Sequence, residues 1–214
     1  MFLAIPLFAL PGYLIGSIPF GLILSKFFGH KDIRQIGSGN IGATNVLRTG
    51  NKFLALLTLI LDTGKGAILI LLLFDTHAYD PAVPDYVVPV FALSTGLATI
   101  LGHCFPVWLK FKGGKGVATT FGVLLAAVPW TGFVAVCTWG IVAGFFRYSS
   151  LSALCAVAIA PLATFLIYGS TPAAITVLIA ALVIWRHKDN IKRLTAGTEP
   201  KIFENKDAKP ADTE

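Results

Sequence analysis

Charge is scarce in this chain, and so are the usual signatures of chemistry. Only 13% of the 214 residues are charged, against 55% that are hydrophobic, and the mean hydropathy is +0.76. That balance excludes a soluble globular chain and implies an integral membrane protein with several spans in one bundle. The 3 cysteines, Cys104, Cys137 and Cys155, lie in or beside apolar runs without a C-x-x-C pair. A dithiol redox motif is thereby excluded, and the three read as buried free thiols. No Gly-x-x-x-x-Gly-Lys-Ser/Thr excludes a Walker loop, and no Gly-x-Ser-x-Gly excludes a hydrolase elbow. None of His30, His77, His103 and His187 begins a His-x-x-x-x-Asp, so the usual acyltransferase base and carboxylate pair is missing. No His, Cys and carboxylate set has metal spacing, so neither a metal nor another cofactor is expected. The first apolar run lacks a charged leader and a small-residue cleavage site, and reads as a retained helix. A pI near 9.3 suggests nucleic acid, but the basic residues lie between apolar runs, where membrane orientation explains them.

What is present is a series of apolar segments separated by polar loops. Residues 1–25 form a first span interrupted by Pro6, Pro11 and Pro19, followed by a polar segment over 26–52. Residues 53–74 form a second span, which carries Asp62 and Lys65 three apart on one helix face, placed to pair. An acidic loop over 75–85 leads to a short third span over 86–101. The runs 117–146 and 151–185 each exceed the roughly 20 residues that cross a bilayer. Each has a breaker near its middle, Pro129-Trp130 and Gly169-Ser170-Thr171-Pro172, so each reads as a hairpin of two short helices. The expectation is an all-α membrane protein of seven transmembrane helices, N-terminus outside and C-terminus cytoplasmic. Every Lys and Arg except Lys65 then falls on one side, while Asp75, Asp80 and Asp85 fall on the other. A five-span alternative misplaces only Arg147. The membrane domain occupies 1–200, and the charged segment 201–214 reads as a disordered cytoplasmic tail.

Four polar stretches share one face in this topology. The central one is GHCFPVWLKFKGGKGVAT, residues 102–119, with Lys110, Lys112 and Lys115 beside Gly113, Gly114 and Gly116. Glycines allow backbone N–H groups to form a concave nest, and ammonium groups beside it make an anion site, above all for phosphate. The competing reading is a basic loop that only sets orientation. The stretch GSGNIGATNVLR, residues 37–48, offers Ser38, Asn40, Thr44 and Asn45 as donors. Arg48, four residues beyond Thr44, adds a planar fork suited to phosphate. RYSS, residues 147–150, reads as a tight turn with a topology charge. RHKDNIKRLTAGTE, residues 186–199, places Asn190 and Arg193 to project together. His103 and His187 read as hydrogen-bonding or interfacial residues rather than catalysts. Chemistry here rests on positioning and positive charge.

Those three long stretches, in this order between short spans, resemble the bacterial acyl-phosphate-dependent glycerol-3-phosphate acyltransferases over nearly the whole chain to Glu199. Asp62-Thr63-Gly64-Lys65-Gly66 and Arg147–Ser150 share the likeness. The resemblance implies a multi-pass plasma-membrane enzyme of bacteria with a cytoplasmic active site, working as a monomer without cofactor. Its implied substrates are acyl phosphate and glycerol 3-phosphate, with the bilayer as a third partner. By the same resemblance Ser38, Arg48 and Lys115 are the catalytic set. Asn40, Thr44, Asn45, His103, Lys112, Gly113, Gly114, Ser150, His187 and Asn190 complete the phosphate- and substrate-binding set. Two other classes carry distinct expectations. A small-anion transporter predicts inverted-repeat halves and mid-membrane polar residues on several spans. A scaffold for lipid-synthesis partners predicts no turnover and no substrate-dependent stabilisation.

Overall fold

The computed structural model describes residues 5–29, 32–73 and 84–202, with side chains from residue 8. His30, the acidic loop as far as 83 with Asp75, His77 and Asp80, and the tail from 203 lie outside the described residues. Among those described, the secondary structure is entirely helical. In chain order the helices are α1 Ile5–Gly16, α2 Phe20–Phe27, α3 Ala43–Leu47, α4 Lys52–Leu73 and α5 Val87–Cys104. Then follow α6 Val117–Ala127, α7 Pro129–Phe146, α8 Ser149–Tyr168, α9 Ser170–Arg186 and α10 Lys188–Thr195.

Among the described residues, 5 segments can cross a membrane by length and composition: 8–27, α4, 87–109, α7 and α8. The pair α9 and α10, bent by 61°, makes a sixth, and α6 is apolar but only 11 residues long. The protein is therefore a multi-pass membrane protein, and the elements among its described residues are all helices. Both expected hairpins break where the sequence placed the breakers. Val128 leaves helical geometry and Pro129 starts α7, where its missing N–H costs nothing. Gly169, at φ 88°, ends α8. The first segment behaves differently at its prolines: α1 runs through Pro11 and stops only before Pro19, which flanks the start of α2.

That interruption explains the buried ion pair. A broken helix within a bilayer leaves carbonyls without partners, each costly in lipid. Lys65 Nζ donates to the Ile18 carbonyl at 2.9 Å while pairing with Asp62 Oδ1 at 2.7 Å. Lys65 and Asp62 are both buried, so the expected pair forms and also ties α4 to the break between α1 and α2.

The helices pack through glycines. A methyl group at Gly16 would lie 2.0 Å from the Thr99 carbonyl oxygen, and one at Gly102 would lie 2.1 Å from that of Tyr13. These close α1 against α5. At Gly66 and Gly122 the corresponding approaches are 2.3 Å to Thr119 O and 1.9 Å to Thr63 O, closing α4 against α6. Between the helices lies a dry cluster that includes Ile70, Leu93, Ile100, Val123, Leu124 and Ile179. Of the three free cysteines, Cys104 is buried as expected and Cys155 half-buried, but Cys137 is exposed on α7.

Candidate active site

The first polar stretch is organised around one amide. Asn45 is buried on α3, and its Nδ2 donates to the Ile33 and Asn40 carbonyls at 2.7 and 2.8 Å. Its Oδ1 accepts from Ser38 N at 3.0 Å and Ser38 Oγ at 3.3 Å. Both donors of Asn45 are thus committed to the backbone, and the residue shapes the loop that presents Ser38 and Asn40. Arg48 Nη1 lies 3.5 Å from the same Oδ1, too long to hold the guanidinium firmly. Thr44 Oγ1 meets Ser149 Oγ at 3.1 Å, which joins α3 to the start of α8.

The glycine loop is built otherwise than a phosphate nest. Gly113 N donates to Cys104 O at 3.1 Å and Gly114 N to His103 O at 3.0 Å. These amides close the loop onto the end of α5 and do not point into a cavity. The glycines serve close approach: a methyl at Gly114 would lie 2.0 Å from His103 Nε2. His103 therefore supports the loop from beneath, buried, its Nδ1 3.7 Å from Asp62 Oδ1. Lys112 is exposed and does not line the cavity. Lys115 does, because Gly116 at φ 86° starts α6 and turns the chain inward.

Lys115 begins a chain of short hydrogen bonds. Its Nζ donates to Asn190 Oδ1 at 2.6 Å, and Asn190 Nδ2 donates to Glu199 Oε1 at 2.6 Å. Ser150 Oγ donates to the same oxygen at 2.6 Å, and Arg193 Nε to Glu199 Oε2 at 2.7 Å. Burial pushes Glu199 up, but these hydrogen bonds outweigh it and hold the carboxyl below its ordinary value. Burial lowers Lys115 to about 8; Glu199 opposes the shift, whereas Arg193, Arg48 and Arg186 add to it. His187 is buried at the bend between α9 and α10, its Nδ1 2.7 Å from Val183 O. A carbonyl can only accept, so Nδ1 carries the proton and the neutral ring keeps Nε2 as an acceptor.

A cavity of about 200 Å³ lies where these stretches meet. Ser38, Gly39 and Asn40 form one wall, and Gly113 and Lys115 a second. Trp185, Arg186, Lys188 and Asp189 form the third. Of the expected residues, Ser38, Asn40, Gly113 and Lys115 reach the cavity wall. Asn190 and Ser150 stand behind Lys115 in its hydrogen-bond chain. Asn45, Gly114 and His103 act beneath the surface. Glu199 and Arg186 were not among the expected residues, although both stand at the ends of the third motif. The signal for Glu199 was a carboxylate closing a basic stretch.

A family model described as glycerol-3-phosphate acyltransferase matches residues 6–197. A glycerol-3-phosphate acyltransferase of Rhodospirillum rubrum is 50% identical over 202 residues, covering 94% of this chain and 93% of the relative. Crystal structures of PlsY, an integral membrane glycerol 3-phosphate acyltransferase, are similar in fold. Its glycerol 3-phosphate form matches with TM-score 0.81 at 37% identity, covering 92% of this chain and 95% of that one. The lysophosphatidic acid form matches with TM-score 0.79 at 36% identity and the same coverage, 92% and 95%. With a family model matching residues 6–197 and a relative 50% identical over 94% of its length, the chain belongs to the glycerol-3-phosphate acyltransferase family.

Proposed function

We propose that this acyltransferase moves a fatty acyl group from acyl phosphate to the 1-hydroxyl of sn-glycerol 3-phosphate, giving 1-acylglycerol 3-phosphate and inorganic phosphate. The reaction would be the first acylation of phospholipid synthesis in a bacterial inner membrane. The carrying observation is the cavity wall itself: Lys115 faces the donor loop of Ser38 and Asn40, with Arg186 and Lys188 on the third side. The phosphate groups of the two substrates repel each other, and a cluster of fixed cations offsets that repulsion. The 1-hydroxyl oxygen attacks the acyl carbonyl, the bond from carbonyl carbon to phosphate oxygen breaks, and the hydroxyl proton passes to a phosphate oxygen. Lys115 and Arg48 stabilise charge on the departing phosphate. Phosphate is a good leaving group, so the step asks for alignment rather than for a protein nucleophile.

We read the bundle as seven spans, α6 and α9 included, with the N-terminus outside and the four motif stretches cytoplasmic. The domain limits of 1–200 and 201–214 belong to the same reading, the second lying outside the described residues from 203. Lys110, Lys112, Lys115, Arg147 and the basic residues of α10 then share one side, as the positive-inside rule requires.

Phosphate release from purified protein tests the donor. Palmitoyl phosphate with glycerol 3-phosphate is expected to yield phosphate and lysophosphatidate, and palmitoyl-CoA neither. Product from the thioester overturns the donor assignment. A pH profile adds a second check. The Lys115 ammonium is cationic below about 8 and neutral above it, so its contribution is full at pH 7 and fades as pH rises through 8. An alkaline limb in kcat/KM for glycerol 3-phosphate is expected there, moving higher in Lys115→Arg. A limb that stays put in that variant removes Lys115 as its cause.

A further inference from the structure

Arg186, the last residue of α9, grips the glycine loop. Its Nε donates to the Gly114 carbonyl at 3.1 Å and its Nη2 to the Gly113 carbonyl at 3.0 Å. The guanidinium lies over the Phe105 ring at 5.2 Å and over Trp185 at 5.9 Å, so stacking fixes the fork in addition to its hydrogen bonds. The amides of the same two glycines donate to Cys104 O and His103 O. Three consecutive peptide groups, from 112–113 to 114–115, are therefore held between the end of α5 and the end of α9.

The clamp answers a problem that the loop sets for itself. Gly113 and Gly114 exclude any side chain, since a methyl would lie 2.2 Å from His103 O at the first and 2.0 Å from His103 Nε2 at the second. A loop without side chains has the most backbone freedom to lose and nothing of its own with which to pack. Yet the next residue, Lys115, must place its Nζ against Asn190. A further cation beside Lys115 is electrostatically unwelcome, because Arg186 with Arg193 and Arg48 disfavours the ammonium and only Glu199 favours it. The charge serves the cavity it lines, but what ties Arg186 to the glycine loop is its two-pronged geometry.

We infer that Arg186 is a positioning residue that latches the glycine loop to α9 and so sets Lys115 in the cavity. This rests on the phosphate role of Lys115 proposed above. It joins the second motif to the third by a contact that neither motif shows alone.

The variants Arg186→Gln and Arg186→Lys test it, the second keeping the charge but not the fork. Both are expected to raise KM for glycerol 3-phosphate about 10- to 100-fold, the range for a small misplacement, with a smaller change in kcat. The alkaline limb moves up in Arg186→Gln, which removes a cation near Lys115, and stays in Arg186→Lys. Amide exchange at Gly113 and Gly114 quickens in both variants while α5 and α9 keep their protection. Wild-type KM and exchange in Arg186→Lys overturn the latch. Should Arg186→Gln exchange faster throughout, the lysine variant decides. Should the wild type release no phosphate from palmitoyl phosphate, the donor assignment fails, and loop exchange in the two variants still decides the latch.

Discussion

Lys115→Ala is expected to lower turnover by at least about 10³-fold, above the loss typical of one oxyanion donor because a full charge is removed. The ammonium is the one cation that both lines the cavity and begins the hydrogen-bond chain to Asn190 and Glu199. Its removal leaves two phosphate groups with less positive charge to hold them together. The fold should survive, because the lysine is only half-buried and α6 is anchored independently through Gly122. Thermal melting of the variant in detergent within a few degrees of wild type, together with absent phosphate release, is the expected pair of results. Turnover near wild type would end the phosphate role of Lys115 and move the catalytic centre elsewhere.

Glu199→Ala should damage both structure and catalysis. The carboxylate accepts from Ser150, Asn190 and Arg193 and is 8% exposed. Its removal leaves a hydroxyl, an amide and a guanidinium without their acceptor. Breaking a buried pair from one side costs about 3 kcal/mol or more, and Arg193, itself 36% exposed, keeps the loss at that lower end. Lys115 also loses the Glu199 charge that favours its charged form, so the alkaline limb of kcat/KM should fall below pH 8. Glu199→Gln keeps one acceptor oxygen for Ser150 or Asn190 and should retain more stability than alanine. Melting temperature and pH profile measured on both variants check the two effects separately. Equal melting temperatures for wild type and Glu199→Ala would show that the carboxylate is not the hub of this network.

The helical bundle was legible because its signals are local. Apolar runs, Pro129 and Gly169 each speak for their own segment, and the Asp62 and Lys65 spacing identifies a pair on one helix. The reason for that pair was not legible, since it depends on the Ile18 carbonyl, distant in sequence. The same limit applies in the site. A glycine-rich stretch beside lysines suggests N–H groups facing a ligand, but Gly113 and Gly114 donate to the end of α5, a choice made by the tertiary packing of His103 beneath them. Asn45 read as a ligand donor and is a loop organiser, because nothing in the sequence reveals that Ile33 and Asn40 present carbonyls to it. Glu199 was missed for a related reason. A carboxylate in a basic stretch reads as a solvated charge until three donors from α8 and α10 are seen to converge on it.

Helix α6 carries a consequence for the surrounding lipid. Its 11 residues rise about 16 Å, roughly half of a hydrocarbon core of about 30 Å. In the seven-span reading, a helix this short falls well short of an ordinary bilayer's thickness where the protein meets the lipid. Either the leaflet thins around the protein or polar groups are drawn down to meet it, at a cost of fractions of a kcal/mol per ångström. In that reading bilayer thickness is a setting of the enzyme, and reconstitution into short-chain lipids should favour the geometry that long-chain lipids oppose.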